Sequence, residues 1–118
     1  MSTDDISKVI LVNKPLEWTS FDVVKKIRGI IKRQHNLSKL KVGHAGTLDP
    51  KASGLLIVCT GKKTKIIKQF ENLDKTYVAM MKLGCVTDSF DSETSEKNHK
   101  DYSNISEIEI QNIFKEFE

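Results

Sequence analysis

The chain has 118 residues, 38% of them hydrophobic and 30% charged, with a formal net charge of +3; this is one domain's length and the make-up of a soluble globular fold with a modest core. No apolar run is long enough to span a membrane, and the opening Met1-Ser2-Thr3-Asp4-Asp5 resembles neither a signal peptide nor a transit peptide, so the expected setting is cytoplasmic. The charge is uneven: residues 1–75 carry 15 Lys/Arg and 7 Asp/Glu, or +8, while residues 76–118 carry 4 and 9, or −5. A basic front half suits a polyanion such as RNA, although a plain lysine-rich surface has the same signature and charge alone favours it.

In chain order, residues 8–13 (KVILVN) form an apolar, β-branched run that predicts a buried strand. Pro15 ends it and opens a loop. Thr19 with Asp22 fits a capping box, with Ser20 as an alternative cap. Val23, Val24, Ile27, Ile30 and Ile31 then recur at helical spacing, with most of the basic residues off that stripe. Residues 34–40 read as a polar connector. Residues 41–54 hold three of the six glycines and one of the two prolines, which predicts a structured loop. Residues 55–60 (LLIVCT) predict a second buried strand, and residues 62–73 a short helix through Ile66, Ile67 and Phe70.

Residues 76–83 alternate, with Tyr77, Ala79, Met81 and Leu83 on one face, and predict a third strand. Residues 85–102 are polar and acidic without a period and predict either a long loop or a partly disordered segment. Ser106 and Glu109 make a second capping box before the stripe Ile110, Ile113, Phe114 and Phe117. That helix runs into the C-terminus without a stop signal, so the natural chain is expected to continue. Cys59 and Cys85 lack CxxC or Cys/His spacing and predict two buried, reduced thiols.

The stretch Val42-Gly43-His44-Ala45-Gly46-Thr47-Leu48-Asp49-Pro50 has few core-forming side chains and needs another explanation. Gly43 and Gly46 permit positive φ or a close approach by another group, and Pro50 steers Asp49 towards extended backbone. A carboxylate on a rigid, glycine-flanked loop can be presented into a groove; a turn in which Asp49 bonds nearby N–H groups is the commoner use of such residues. A phosphate loop is excluded, because Leu56 stands where its first glycine belongs and Lys63 where Ser or Thr should follow Gly61-Lys62. No GxGxxG run or paired histidine spacing suggests a dinucleotide or a metal.

Gly43-His44-Ala45-Gly46-Thr47-Leu48-Asp49-Pro50, with Ala52, Gly54 and Leu55 after it, resembles the signature of TruB-type pseudouridine synthases, G-H-x-G-T-L-D-P-x-A-x-G-x-L. Leu11-Val12-Asn13-Lys14-Pro15 and Thr19-Ser20-Phe21-Asp22-Val23-Val24 are similar to the family's opening motifs. So are Gly61, Thr64 and Lys65, then Lys75-Thr76-Tyr77, then Leu83-Gly84 with Thr87-Asp88 and Asp91. The resemblance spans residues 8 to 92. It departs at Lys63, where the family has alanine, and at Ser92-Glu93-Thr94, which lacks a glycine expected after Asp91.

The resemblance implies an α+β fold: the first part of a pseudouridine synthase catalytic domain, a largely antiparallel mixed sheet flanked by helices. It implies that residues 1–118 are the N-terminal part of that domain. The rest, with an arginine that pairs with the catalytic aspartate and a small RNA-binding domain, would lie beyond them. It implies isomerisation of uridine to pseudouridine in the T loop of tRNA by the full-length protein, without cofactor or metal. Asp49 would be the catalytic residue, attacking covalently or assisting without a lasting bond. Tyr77 would pack on the flipped base and His44 would help take up the RNA loop, with Lys14 and Lys65 meeting phosphates. The rival readings are a guide-RNA-dependent relative acting on rRNA and a non-catalytic tRNA-binding module. The partner expected is the T arm of tRNA, with no membrane. The fragment alone would be inactive and prone to self-association, and a nuclear or organellar setting is open if the source is eukaryotic.

Overall fold

A computed structural model describes residues 5–118; the first four residues of the acidic opening lie outside that range. Strand β1 (Val9–Lys14) leads into helix α1 (Ser20–Gln34), followed by strands β2 (Val42–Ala45) and β3 (Gly54–Thr60). A 3₁₀ turn (Gly61–Ile66) and helix α2 (Ile67–Glu71) come next, and helix α3 (Glu107–Lys115) closes the chain. The fold class is α+β, as expected. The chain divides into two compact units between Thr76 and Tyr77.

In the first unit the sheet order is β1-β3-β2, with both pairings antiparallel. The register sets Val12 opposite Leu56 and Ile10 opposite Val58, so their side chains share one face. On that face Leu56, Val58 and Val42 pack with Val23 and Val24 of α1, and Ile10, Val12, Ile27, Leu40 and Leu48 surround them. The sequence's helical stripe is thus the face that covers the sheet. Thr19 caps α1 by accepting from the Asp22 N–H at 3.0 Å, and the Asp22 carboxylate accepts from the Thr19 N–H at 2.9 Å. Its other end closes with Asn36 at φ 49°, which lets Leu37 N–H reach Lys32 O at 2.9 Å and Asn36 N–H reach Arg33 O at 3.4 Å. This is a Schellman stop in which asparagine takes the left-handed position usually given to glycine.

Three expectations of secondary structure need correction. Residues 42–45 are a strand rather than loop: cross-strand pairing with β3 overrides the poor strand propensity of Val42-Gly43-His44-Ala45. Residues 62–73 are not one helix but the 3₁₀ turn followed by five residues of α2. The hydroxyl that could cap them, on Thr60, is already engaged, donating to Ile6 O at 2.5 Å and accepting from Lys8 N–H at 2.9 Å. Residues 76–83 form no strand. Their alternation marks two faces but supplies no neighbour to pair with, and Val78 and Met80 are fully exposed.

The second unit holds α3 and the loops before it. The 85–102 segment has no helix or strand, as expected, but it is closed by an isolated bridge between Val86 and Lys97. Lys82 pairs with Glu96 at 2.6 Å, and Lys97 pairs with Asp88. Where the family's glycine is missing, Thr87 Oγ1 donates to Asp91 O at 2.7 Å and Ser89 Oγ to Asp91 Oδ1 at 2.6 Å. The predicted Ser106–Glu109 capping box begins α3. Cys59 is buried but Cys85 only half-buried, so one of the two thiols departs from expectation.

Candidate active site

Strands β2 and β3 are joined by residues 46–53, so the carboxylate singled out by sequence sits in a hairpin loop. The two flanking glycines serve different ends. A Cβ at Gly43 would lie 2.8 Å from Ile67 Cδ1, so its bareness lets α2 pack on the sheet. Gly46 has φ 76°, a conformation that turns the chain out of β2 and strains any residue with a side chain.

Helix α1 then holds the loop from below. The Ser20 hydroxyl donates to Leu48 O at 3.0 Å and accepts from Leu48 N–H at 2.9 Å. Ser20 is 3% exposed, so water does not compete for these bonds. Glu17 N–H donates to Pro50 O at 2.7 Å, and Ala52 N–H donates to Asp49 O at 2.9 Å, closing a turn. Lys51 and Glu17 add an ion pair at 2.6 Å. The backbone at 48, 49 and 50 is therefore fixed at successive residues while the Asp49 residue itself remains exposed.

The other expected site residues are distributed differently. His44 lies on β2, where Nδ1 is 2.8 Å from Gly46 O. A carbonyl only accepts, so Nδ1 is the donor in this contact. Lys65 is exposed in the 3₁₀ turn. Lys14 is not the surface lysine expected: it is 0% exposed, and its Nζ donates to Pro15 O at 2.9 Å and Trp18 O at 2.6 Å. Being on the core face at the end of β1, it ties down the 15–18 loop instead of offering a phosphate contact. Tyr77 opens the second unit and is 67% exposed, so it is no core tyrosine of that unit.

Sequence reasoning missed the part of Ser20, which it read as a spare cap. The signal was present: Thr19 and Ser20 are adjacent hydroxyls at one helix start, and only one of them can be the cap. Glu17, with φ 67°, gave no comparable sign. Burial pushes the Cys59 thiol up, against a smaller opposing effect of the Lys63 charge.

Residues 32–118 match the TruB family pseudouridylate synthase (N terminal domain). The chain belongs to the TruB family. The loop just described lies inside the matched segment, while β1 and most of α1, which support it, precede that segment. Similar relatives include the tRNA pseudouridine synthase B of Chlorobium chlorochromatii (strain CaD3), 54% identical over 103 residues, covering 87% of this chain and 40% of that protein. That of Chlorobaculum tepidum is 55% identical over 101 residues, covering 86% and 41%. That of Parabacteroides distasonis is 54% identical over 86 residues, covering 73% and 37%. The chain thus spans about two fifths of the length of these TruB relatives.

Proposed function

We propose that the whole protein isomerises uridine to pseudouridine in the T loop of tRNA, with Asp49 as the catalytic carboxylate and this chain as the N-terminal part of the catalytic domain. The observation that carries this reading is the exposed Asp49 on a loop whose backbone is pinned by Ser20 and Glu17. A carboxylate held at a fixed point is what positional catalysis requires.

The reaction breaks the bond between uracil N1 and ribose C1′ and forms one from C5 to C1′. C5 gives up its proton and N1 gains one, so substrate and product have the same atoms and oxidation level. The base must first leave its stack, at a cost of a few kcal/mol. Tyr77 would receive its face, His44 would engage the RNA loop through its free Nε2, and Lys65 would meet phosphate. The shared name of the relatives favours a tRNA enzyme over one guided by a second RNA. The proposed setting is the cytoplasm.

The test is pseudouridine formation in tRNA by the whole protein and its Asp49→Asn variant. The variant should lose on the order of a hundredfold or more in turnover while binding tRNA as before, because affinity rests largely on phosphate contacts. A variant that turns over at the wild-type rate removes Asp49 from the chemistry.

A further inference from the structure

Helix α1 has an outer face that the fold does not use. Asp22, Lys25, Lys26, Gly29 and Arg33 lie on it within a single stripe, opposite the buried Val23 and Val24. With Glu17 and Trp18 these residues line an open groove of about 470 Å³. We infer that this groove is a second RNA-docking surface, which takes the sugar-phosphate backbone of the substrate RNA as it runs away from the Asp49 loop. The inference rests on the RNA-modifying function proposed above.

Three observations carry it. The first is charge. The two carboxylates in the groove are already engaged: Glu17 pairs with Lys51 at 2.6 Å, and Asp22 accepts from Thr19 N–H at 2.9 Å. Lys25, Lys26 and Arg33 are exposed, and no hydrogen bond or salt bridge among the described residues holds them. Among the described residues no carboxylate forms an ion pair with this cationic end of the groove, where Asp22 is the nearby acid, and such an end suits a polyanion.

The second is Gly29. Glycine inside a helix costs roughly 1 kcal/mol relative to alanine, and packing does not explain it here. A Cβ built at Gly29 would meet nothing within 4 Å. The fold would accept a side chain, yet its absence keeps the floor of the groove open between Lys25, Lys26 and Arg33. A ligand that approaches the helix backbone closely accounts for that.

The third is placement. Glu17, at one end of the groove, donates its N–H to Pro50 O beside Asp49. From Asp22 to Arg33 the helix runs about 16 Å. A strand leaving the target nucleotide can continue directly into the groove, with Trp18, 39% exposed, giving an aromatic surface where it enters.

The experiment measures binding of fluorescein-labelled tRNA to the whole protein across a potassium chloride series. Lys25→Gln/Lys26→Gln/Arg33→Gln should bind about tenfold more weakly or worse, with a plot of log Kd against log salt shallower by roughly 2, as expected for three lost phosphate contacts. Gly29→Gln should melt no lower than wild type yet bind several-fold more weakly; this opposition separates a filled groove from a damaged fold. Wild-type affinity and salt slope in the triple variant overturn the inference, and leave the proposed function standing if the wild-type protein makes pseudouridine. A wild-type protein that makes no pseudouridine and binds no tRNA overturns both. With polyglutamate and unlabelled tRNA as competitors of labelled tRNA on wild-type protein, unlabelled tRNA should be the tighter competitor; polyglutamate that competes more tightly, and does so on wild-type but not on triple-variant protein, assigns the groove to an acidic protein and overturns the inference.

Discussion

Ser20 supports two backbone groups with one atom. Replacing it with alanine leaves the Leu48 N–H and C=O without their partner in a nearly waterless place. An unmet buried polar group costs about 1–3 kcal/mol, so Ser20→Ala should lower stability by roughly 2 kcal/mol. It should also lower turnover per folded molecule, because a shift of about 1 Å in a catalytic group can cost on the order of a hundredfold. Thermal melts beside single-turnover rates read both; a destabilised variant with an unchanged rate would show that Ser20 does not position Asp49. Tyr77 gives the opposite pattern. Being two-thirds exposed, Tyr77→Ala should leave the melting temperature within about 1–2 °C of wild type, since surface changes stay within about 0.5 kcal/mol, and should weaken binding of the target base. Tyr77→Phe keeps the stacking face and should retain that binding. A large loss of stability in either would make Tyr77 structural.

The helices depend on their first turns. Asp22 has its carboxyl held below the usual 3.8 by hydrogen bonds from the Thr19 backbone and then its hydroxyl, with Lys25 and Lys14 adding smaller charge effects. A depressed folded value means that this contribution is present above pH 3.8 and is lost as pH falls through the lower folded value. Urea midpoints taken across the acid range should therefore fall less steeply for Asp22→Asn than for wild type; equal slopes would remove the capping box from acid sensitivity. Both boxes could be read from sequence because they are local, involving residues three apart. β2 and the unpaired residues 76–83 could not, for opposite versions of one reason. Strand identity belongs to a pair, so β3 makes a strand of Gly43-His44, while a well-alternating segment without a neighbour stays irregular. The carboxylate was legible from a contiguous signature, whereas its Ser20 and Glu17 supports depend on contacts across 28 and 33 positions.

At the scale of the molecule, β1 and β2 are the edges of a three-stranded sheet. On the face away from α1, Leu11 is 69% and Leu55 62% exposed. Apolar side chains beside unpaired strand edges favour pairing between molecules, so the 118-residue chain should elute larger than a monomer as its concentration rises. A monomer at all concentrations would contradict this. The same chain should yield no pseudouridine from a T-arm RNA. It spans about two fifths of its relatives' length, and among the described residues no ion pair holds the Asp49 carboxylate. Product from this chain alone would show that its residues suffice for the active site.

The shared hydroxyl between Ser20 and Leu48 has a further consequence, for motion. Surface loops usually open by themselves, at far less free energy than the core beneath them. This one cannot easily do so at Leu48, because its tether is a residue of α1 that is buried with the core. The Leu48 amide should exchange its hydrogen on the slow timescale of α1 and β3. Exposed Thr47, one position earlier, should exchange quickly. The loop bearing Asp49 then belongs to the same cooperative unit as the helix and sheet, and heat would take away its geometry only when it takes away the fold.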